Sequence, residues 1–218
     1  LEKRLINSGD PVKGAQMSAY LKNQFACHGV QSPKRKELYN EFRKTVFKPS
    51  TEDELIRWTK TLWSQPFRDY QYIAMEELQK SRKLIQGACI KEVERFITDK
   101  SWWDTVDMLA SNIMGQNYAN LPKEVLSEYC KENWIYSTNM WLNRTAILVQ
   151  LKYKQHTCVD LLQASITPHI SSPEFFHQKA IGWSLREYAK TDANWVKIFV
   201  AETTLKPLSK REALKHIS

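Results

Sequence analysis

Apolar residues recur at spacings of three and four almost from one end of the chain to the other. Only 6 glycines and 8 prolines interrupt them in 218 residues. That period belongs to the α-helix, and proteins built from strands and turns rarely manage with so few turn formers. The expected fold class is therefore all-α. The spacing predicts helices over 11–25, 33–46, 51–63, 66–80, 83–98, 102–115, 122–132, 138–153, 157–166, 172–189, 192–203 and 208–217. Ser32 followed by Pro33 reads as an N-cap with proline at the first helical position. Ser50 precedes an acidic first turn, Thr51-Glu52-Asp53-Glu54. Ser171-Ser172-Pro173-Glu174 and Thr191-Asp192 mark further starts. Short connections and helix pairs of roughly 30–40 residues point to stacked pairs of the HEAT type. The competing arrangement is an irregular helical bundle. No Gly/Ser linker divides the chain, so 1–218 reads as a single domain, and as a monomer.

Hydrophobic residues make up 42% of the sequence, enough for a sizeable core. Lys and Arg outnumber the acids 32 to 24, a formal charge of +8. The surplus favours a polyanionic partner, nucleic acid ahead of a membrane surface, although it also serves solubility alone. With 8 tryptophans, some rings are expected on a working surface rather than in a core. Cys27, Cys89, Cys130 and Cys158 are far apart in sequence and follow no CxxC or His-x-x-x-His spacing. They read as reduced, packed thiols, and neither metal nor cofactor is expected. No secretory signal and no apolar run of membrane length stands out, so the expected location is the cytoplasm.

Three helices do not read as plain core. On the segment 101–109, Trp102, Val106, Leu109 and Ile113 form an ordinary core stripe, while Trp103, Asp107, Ala110 and Met114 form a second stripe beside it. Asp107 is then either a helix-surface acid paired with a Lys or Arg, or a carboxylate held beside an aromatic wall. The second arrangement stabilises a cation, because the ring face attracts it and the acid neutralises it. Arg144 shares a face with Met140, Ile147, Leu148 and Leu151. A charge inside an apolar stripe must pair with a buried acid or reach out to a phosphate. In the segment 175–188, Ile181, Leu185 and Tyr188 make a core stripe with Trp183 roughly opposite, near Phe176, Lys179 and Arg186. Such an aromatic among cations suits a DNA backbone or a stacked base, or else is a solvent-edge ring covered by Lys and Arg stems.

The stretches LKNQF, SWWDTVD, WLNRTAILVQLKYK, FFHQKAIGWSLREYAKT and PLSKREALKHI carry a resemblance to the DNA alkylation repair enzymes of the AlkD type. The resemblance covers nearly the whole chain, apart from about the first eleven residues. The stretch ACHGV at 26–30 departs from the more hydrophobic family segment. It implies a curved right-handed α-solenoid of HEAT-like antiparallel helix pairs with a basic concave face for duplex DNA. It also implies excision of positively charged N3- and N7-alkyl purines by hydrolysis of the N-glycosidic bond, without flipping the base. Carried over by position, Asp107 is the catalytic carboxylate, and Trp103 and Trp183 are aromatic walls at the lesion's deoxyribose. Arg144, Tyr20 and Gln31 match positions near the duplex. Lys152, Lys179 and Arg186 are expected on the DNA as well. Two readings from other classes compete: a DNA- or RNA-binding scaffold that has lost the chemistry, and a protein-binding helical scaffold. The placement of the surplus cations separates them.

Overall fold

The computed structural model describes residues 1–217, and among these the regular secondary structure is helical. The chain clusters into two compact units, Leu1–Glu92 and the residues from Val93 onward.

The first unit holds α1 (Glu2–Ser8), α2 (Pro11–Tyr20), α3 (Ser32–Thr45), α4 (Glu52–Ser64), α5 (Arg68–Lys80) and the start of α6 (Gly87–Thr98). α4 and α3 both pack on α5 around Tyr39, Leu55, Trp63, Ile73 and Leu78, all essentially sealed from solvent. Two polar side chains of α5 buried with them tie the helices together. Glu77 accepts hydrogen bonds from Tyr39 at 2.5 Å and from Arg43 at 2.9 Å, and Gln71 donates to the Trp63 and Gln65 carbonyls at 2.9 Å. Asp10 caps α2 through the amides of Val12 and Lys13.

The second unit continues with α7 (Trp103–Met108), α8 (Gly115–Tyr118), α9 (Lys123–Cys130), α10 (Met140–Leu148), α11 (Val159–Ile166), α12 (Phe175–Ala189), α13 (Ala193–Glu202) and α14 (Pro207–Ala213). α12 is its hub and packs on α10, α13 and α14. The core there joins Ile147, Leu148, Leu162, Ile181, Leu185 and Val196. No helix of the described residues is long and apolar enough to cross a membrane.

Several boundaries differ from the sequence reading. α2 ends at Tyr20 rather than 25, because Lys22 and Asn23 take left-handed φ values of 58° and 57°. α10 ends at Leu148, and α14 at Ala213. α1 was not anticipated, since seven residues with one buried side chain, Leu5, carry too little periodicity to read. Gln31, not Ser32, caps α3, with no side-chain hydrogen bond, and Thr51, not Ser50, caps α4 by accepting from the Glu54 amide at 3.2 Å. At the Thr191-Asp192 start it is Asp192 that caps α13, by accepting from the Trp195 amide at 2.9 Å, so the helix begins at Ala193 rather than 192.

The largest departure lies within 102–115. The helix expected there breaks into α7, a π-helical turn over Leu109–Met114, and α8. The Ser111 hydroxyl donates to the Asp107 carbonyl at 2.7 Å, so a side chain takes part of the acceptor capacity at that turn. The wider turn rotates the residues beyond it. Ala110 and Met114, expected beside Asp107 on a second face, are fully buried. Trp102 is the extended residue before α7, not a member of its stripe.

Candidate active site

Asp107 lies on the last turn of α7, and Arg144 in the middle of α10. The guanidinium meets the carboxylate through two parallel hydrogen bonds, 2.7 Å from Nε to Oδ1 and 2.8 Å from Nη2 to Oδ2. The remaining guanidinium nitrogen, Nη1, donates to the carbonyl of Phe176 on α12. Of the two sequence readings for Arg144, the structure therefore realises the buried acid pair. Its side chain is 5% exposed, whereas that of Asp107 is 16% exposed. The acid is thus the open partner and the base the closed one.

Burial pushes the Asp107 carboxyl above its ordinary value. Arg144 pulls it back down, and Asp104 adds a smaller upward push. The guanidinium occupies one lone-pair site on each oxygen, so acceptor capacity is left over on both.

Three rings close in beside this pair. Trp102, Trp141 and Phe176 have centroids 5.9, 5.1 and 4.9 Å apart in pairs, and the Arg144 guanidinium carbon lies 5.9 Å from the Phe176 centroid. Such separations suit edge and tilted packing. Trp103, the first residue of α7, is half-buried. Trp183 is half-buried too, and packs against the apolar core of the second unit, not opposite to it as the helical wheel suggested.

The other expected cations are engaged within the fold. The Lys152 ammonium donates to the Asn112 amide oxygen, and Asn112 donates in turn to Ser111 at 3.3 Å. Lys179 donates to Glu212 at 3.0 Å, and Arg186 pairs with the other oxygen of the same carboxylate. Glu212 comes from α14, and its partners hold its carboxyl below the usual glutamate value. Tyr20 and Gln31 belong to the first unit, where both line an open cavity of about 220 Å³ with Met17, Leu21 and Tyr72. Tyr20 is 70% exposed.

Sequence reasoning missed the Phe176 carbonyl and the rings of Trp141 and Phe176 as parts of this site. Trp141 stands three residues before Arg144 on α10, the only local signal it offered.

The fold and site define an all-helical protein that presents a half-open, arginine-clamped carboxylate at the edge of an aromatic cluster. The family model described as "DNA alkylation repair enzyme" matches residues 1–217. A solved structure described as "Predicted DNA alkylation repair enzyme from Enterococcus faecalis" superposes with a TM-score of 0.86 at 32% identity, covering 97% of each chain. Among curated proteins none matches. The chain belongs to the DNA alkylation repair enzyme family.

Proposed function

We propose that this protein is a DNA-alkylpurine glycosylase, acting as a monomer on duplex DNA that carries N3- or N7-alkylated purines. The observation that carries this reading is the asymmetry of the Asp107–Arg144 pair, in which the carboxylate faces out and the guanidinium is enclosed. A carboxylate fixed at both oxygens by a buried partner is pre-oriented, and its exposed edge can meet a cation that arrives from solvent. The helices of each unit are read as HEAT-like antiparallel pairs, with Tyr20 and Gln31 as duplex contacts of the first unit and Lys152, Lys179 and Arg186 as duplex contacts of the second.

The chemistry is set by the charge of the lesion. An N-alkylated purine is cationic, so breaking its C1′–N bond sends the bonding pair to the ring nitrogen and releases a neutral base. No acid is needed to protonate the leaving group. The sugar becomes oxocarbenium-like, and Asp107 stabilises that cation across the aromatic faces of Trp103 and Trp183. Water adds at C1′, and its proton passes to Asp107 or to solvent, leaving an abasic sugar. The target base then stays in the helix, unlike in glycosylases that extrude it.

The test is release of N7-methylguanine from a methylated duplex, measured for the parent and for Asp107→Asn alongside a binding titration. Release by the parent and its loss in the variant at similar affinity is the expected result. Equal release by both would make the ion pair purely structural. Binding without release by the parent would leave a DNA-binding scaffold.

A further inference from the structure

His177, on the first turn of α12, is 5% exposed. Its Nε2 lies 3.4 Å from the Met140 carbonyl at the start of α10, and its Nδ1 lies 2.9 Å from the Ser172 hydroxyl. A carbonyl oxygen only accepts, so Nε2 carries the hydrogen, and Nδ1 accepts from Ser172. The ring packs 4.6 Å from that of His169, whose Nε2 donates to the Ile135 carbonyl at 2.9 Å. Burial above all holds the His177 pKa down at about 4, and the charged and titratable groups bearing on it, His169 and then Arg144, add to that. The imidazole is therefore a neutral strut between the starts of α10 and α12.

The strut acts on one peptide plane. The Phe176 carbonyl and the His177 amide nitrogen belong to the same rigid unit. The helical backbone of α12 sets the direction of the Phe176 oxygen, and holding His177 from two sides ties that turn to the start of α10, which fixes where the oxygen meets Arg144. Arg144 in turn grips both oxygens of Asp107. We propose that His177 is a positioning residue for Asp107, setting the orientation of its carboxylate through the Phe176–His177 peptide and Arg144.

The kinetic half of this proposal rests on Asp107 being the catalytic carboxylate; the geometric half does not. The experiment uses the full chain and compares His177→Leu, which removes both ring hydrogen bonds, with His177→Asn, which keeps an acceptor for Ser172. Carboxyl carbon NMR follows the titration of Asp107, thermal melting follows the fold, and single-turnover release of N7-methylguanine follows the chemistry. In the Leu variant a loosened Arg144 lets the Asp107 midpoint rise. Single-turnover release drops about tenfold with duplex affinity unchanged. Both move back toward the parent in the Asn variant. If the Leu variant does not fold, Ser172→Ala withdraws the same Nδ1 partner from the half-buried turn before α12 and is read in the same way. A folded variant whose Asp107 midpoint equals that of the parent overturns the proposal. A moved midpoint in a parent that releases no base upholds the positioning and removes only the glycosylase reading.

Discussion

Asp107 and Arg144 face each other across two parallel hydrogen bonds of 2.7 and 2.8 Å, and the arginine is the more deeply buried of the two. Breaking the pair from either side has different consequences. Asp107→Asn keeps the shape and neutralises a carboxylate whose charge burial already disfavours, but sets an amide NH2 against one guanidinium donor. The expected cost in denaturant unfolding is that of one lost hydrogen bond, about 1 kcal/mol. Release of alkylpurine falls about 100-fold or more. A variant with full stability and no release would place all of Asp107's role in chemistry.

Arg144→Met removes the cation and leaves Asp107 with burial unopposed. Its titration midpoint, already above the ordinary value, rises further. The ionised form is the one that stabilises a sugar cation, so release in the parent should fall on acidification at a pH above that of an ordinary aspartate, about 3.9. Stability moves the other way in that window. The folded state binds this proton more tightly than the unfolded one, so the contribution of Asp107 to stability grows as pH falls through its folded pKa. Comparing the parent with Asp107→Asn isolates this from the other carboxylates.

His177 gives a second pH signature with the opposite sign. Its pKa is lowered from 6.5 to about 4, so between those values the unfolded chain takes up a proton that the folded chain refuses. Stability should fall by up to about 3 kcal/mol as pH drops from 6.5 to 4. In His177→Asn that part of the slope disappears. An unchanged profile would mean that the buried imidazole is protonated in the fold without penalty.

The helical wheel made Arg144 conspicuous because a charge inside the apolar stripe of α10 demands a partner. It could not say which, since Asp107 lies 37 positions away. Lys179 and Arg186 looked like open cations for the same reason, as Glu212 reaches them from α14. Local spacing sets which side of a helix a residue occupies, and tertiary docking decides what covers that side. The π turn after Asp107 was equally hidden, because it depends on the Ser111 hydroxyl competing for one carbonyl and not on any period in the apolar residues.

The Glu212 clamp predicts a gain of function. If Lys179 and Arg186 face the duplex, a phosphate must compete with the carboxylate that now holds them. Glu212→Gln removes that competitor and should tighten binding to undamaged duplex. The salt dependence should steepen by about one charge, while Lys152→Ala flattens it by about one. Salt titrations of binding by fluorescence anisotropy check both. An unaltered slope in Glu212→Gln would keep Lys179 and Arg186 as fasteners of α14 onto α12.

Gly115 is where the end of α10 closes on the segment carrying Asp107. A β-carbon there would lie 2.3 Å from the Val149 carbonyl oxygen and 3.3 Å from that of Ala110. Both neighbours are backbone and cannot swing aside. The Tyr153 hydroxyl also donates to the Gly115 carbonyl at 2.7 Å, which pins the same approach from the other direction. Gly115→Ala must therefore push the end of α10 away from the π turn, at a cost of about 1–3 kcal/mol. Because Arg144 rides on α10, the displacement should reach Asp107 and lower release more than duplex affinity. Urea unfolding and single-turnover release on the same preparation separate the two effects. A stable variant with the parent's rate would show that α10 can shift at this end without moving Arg144.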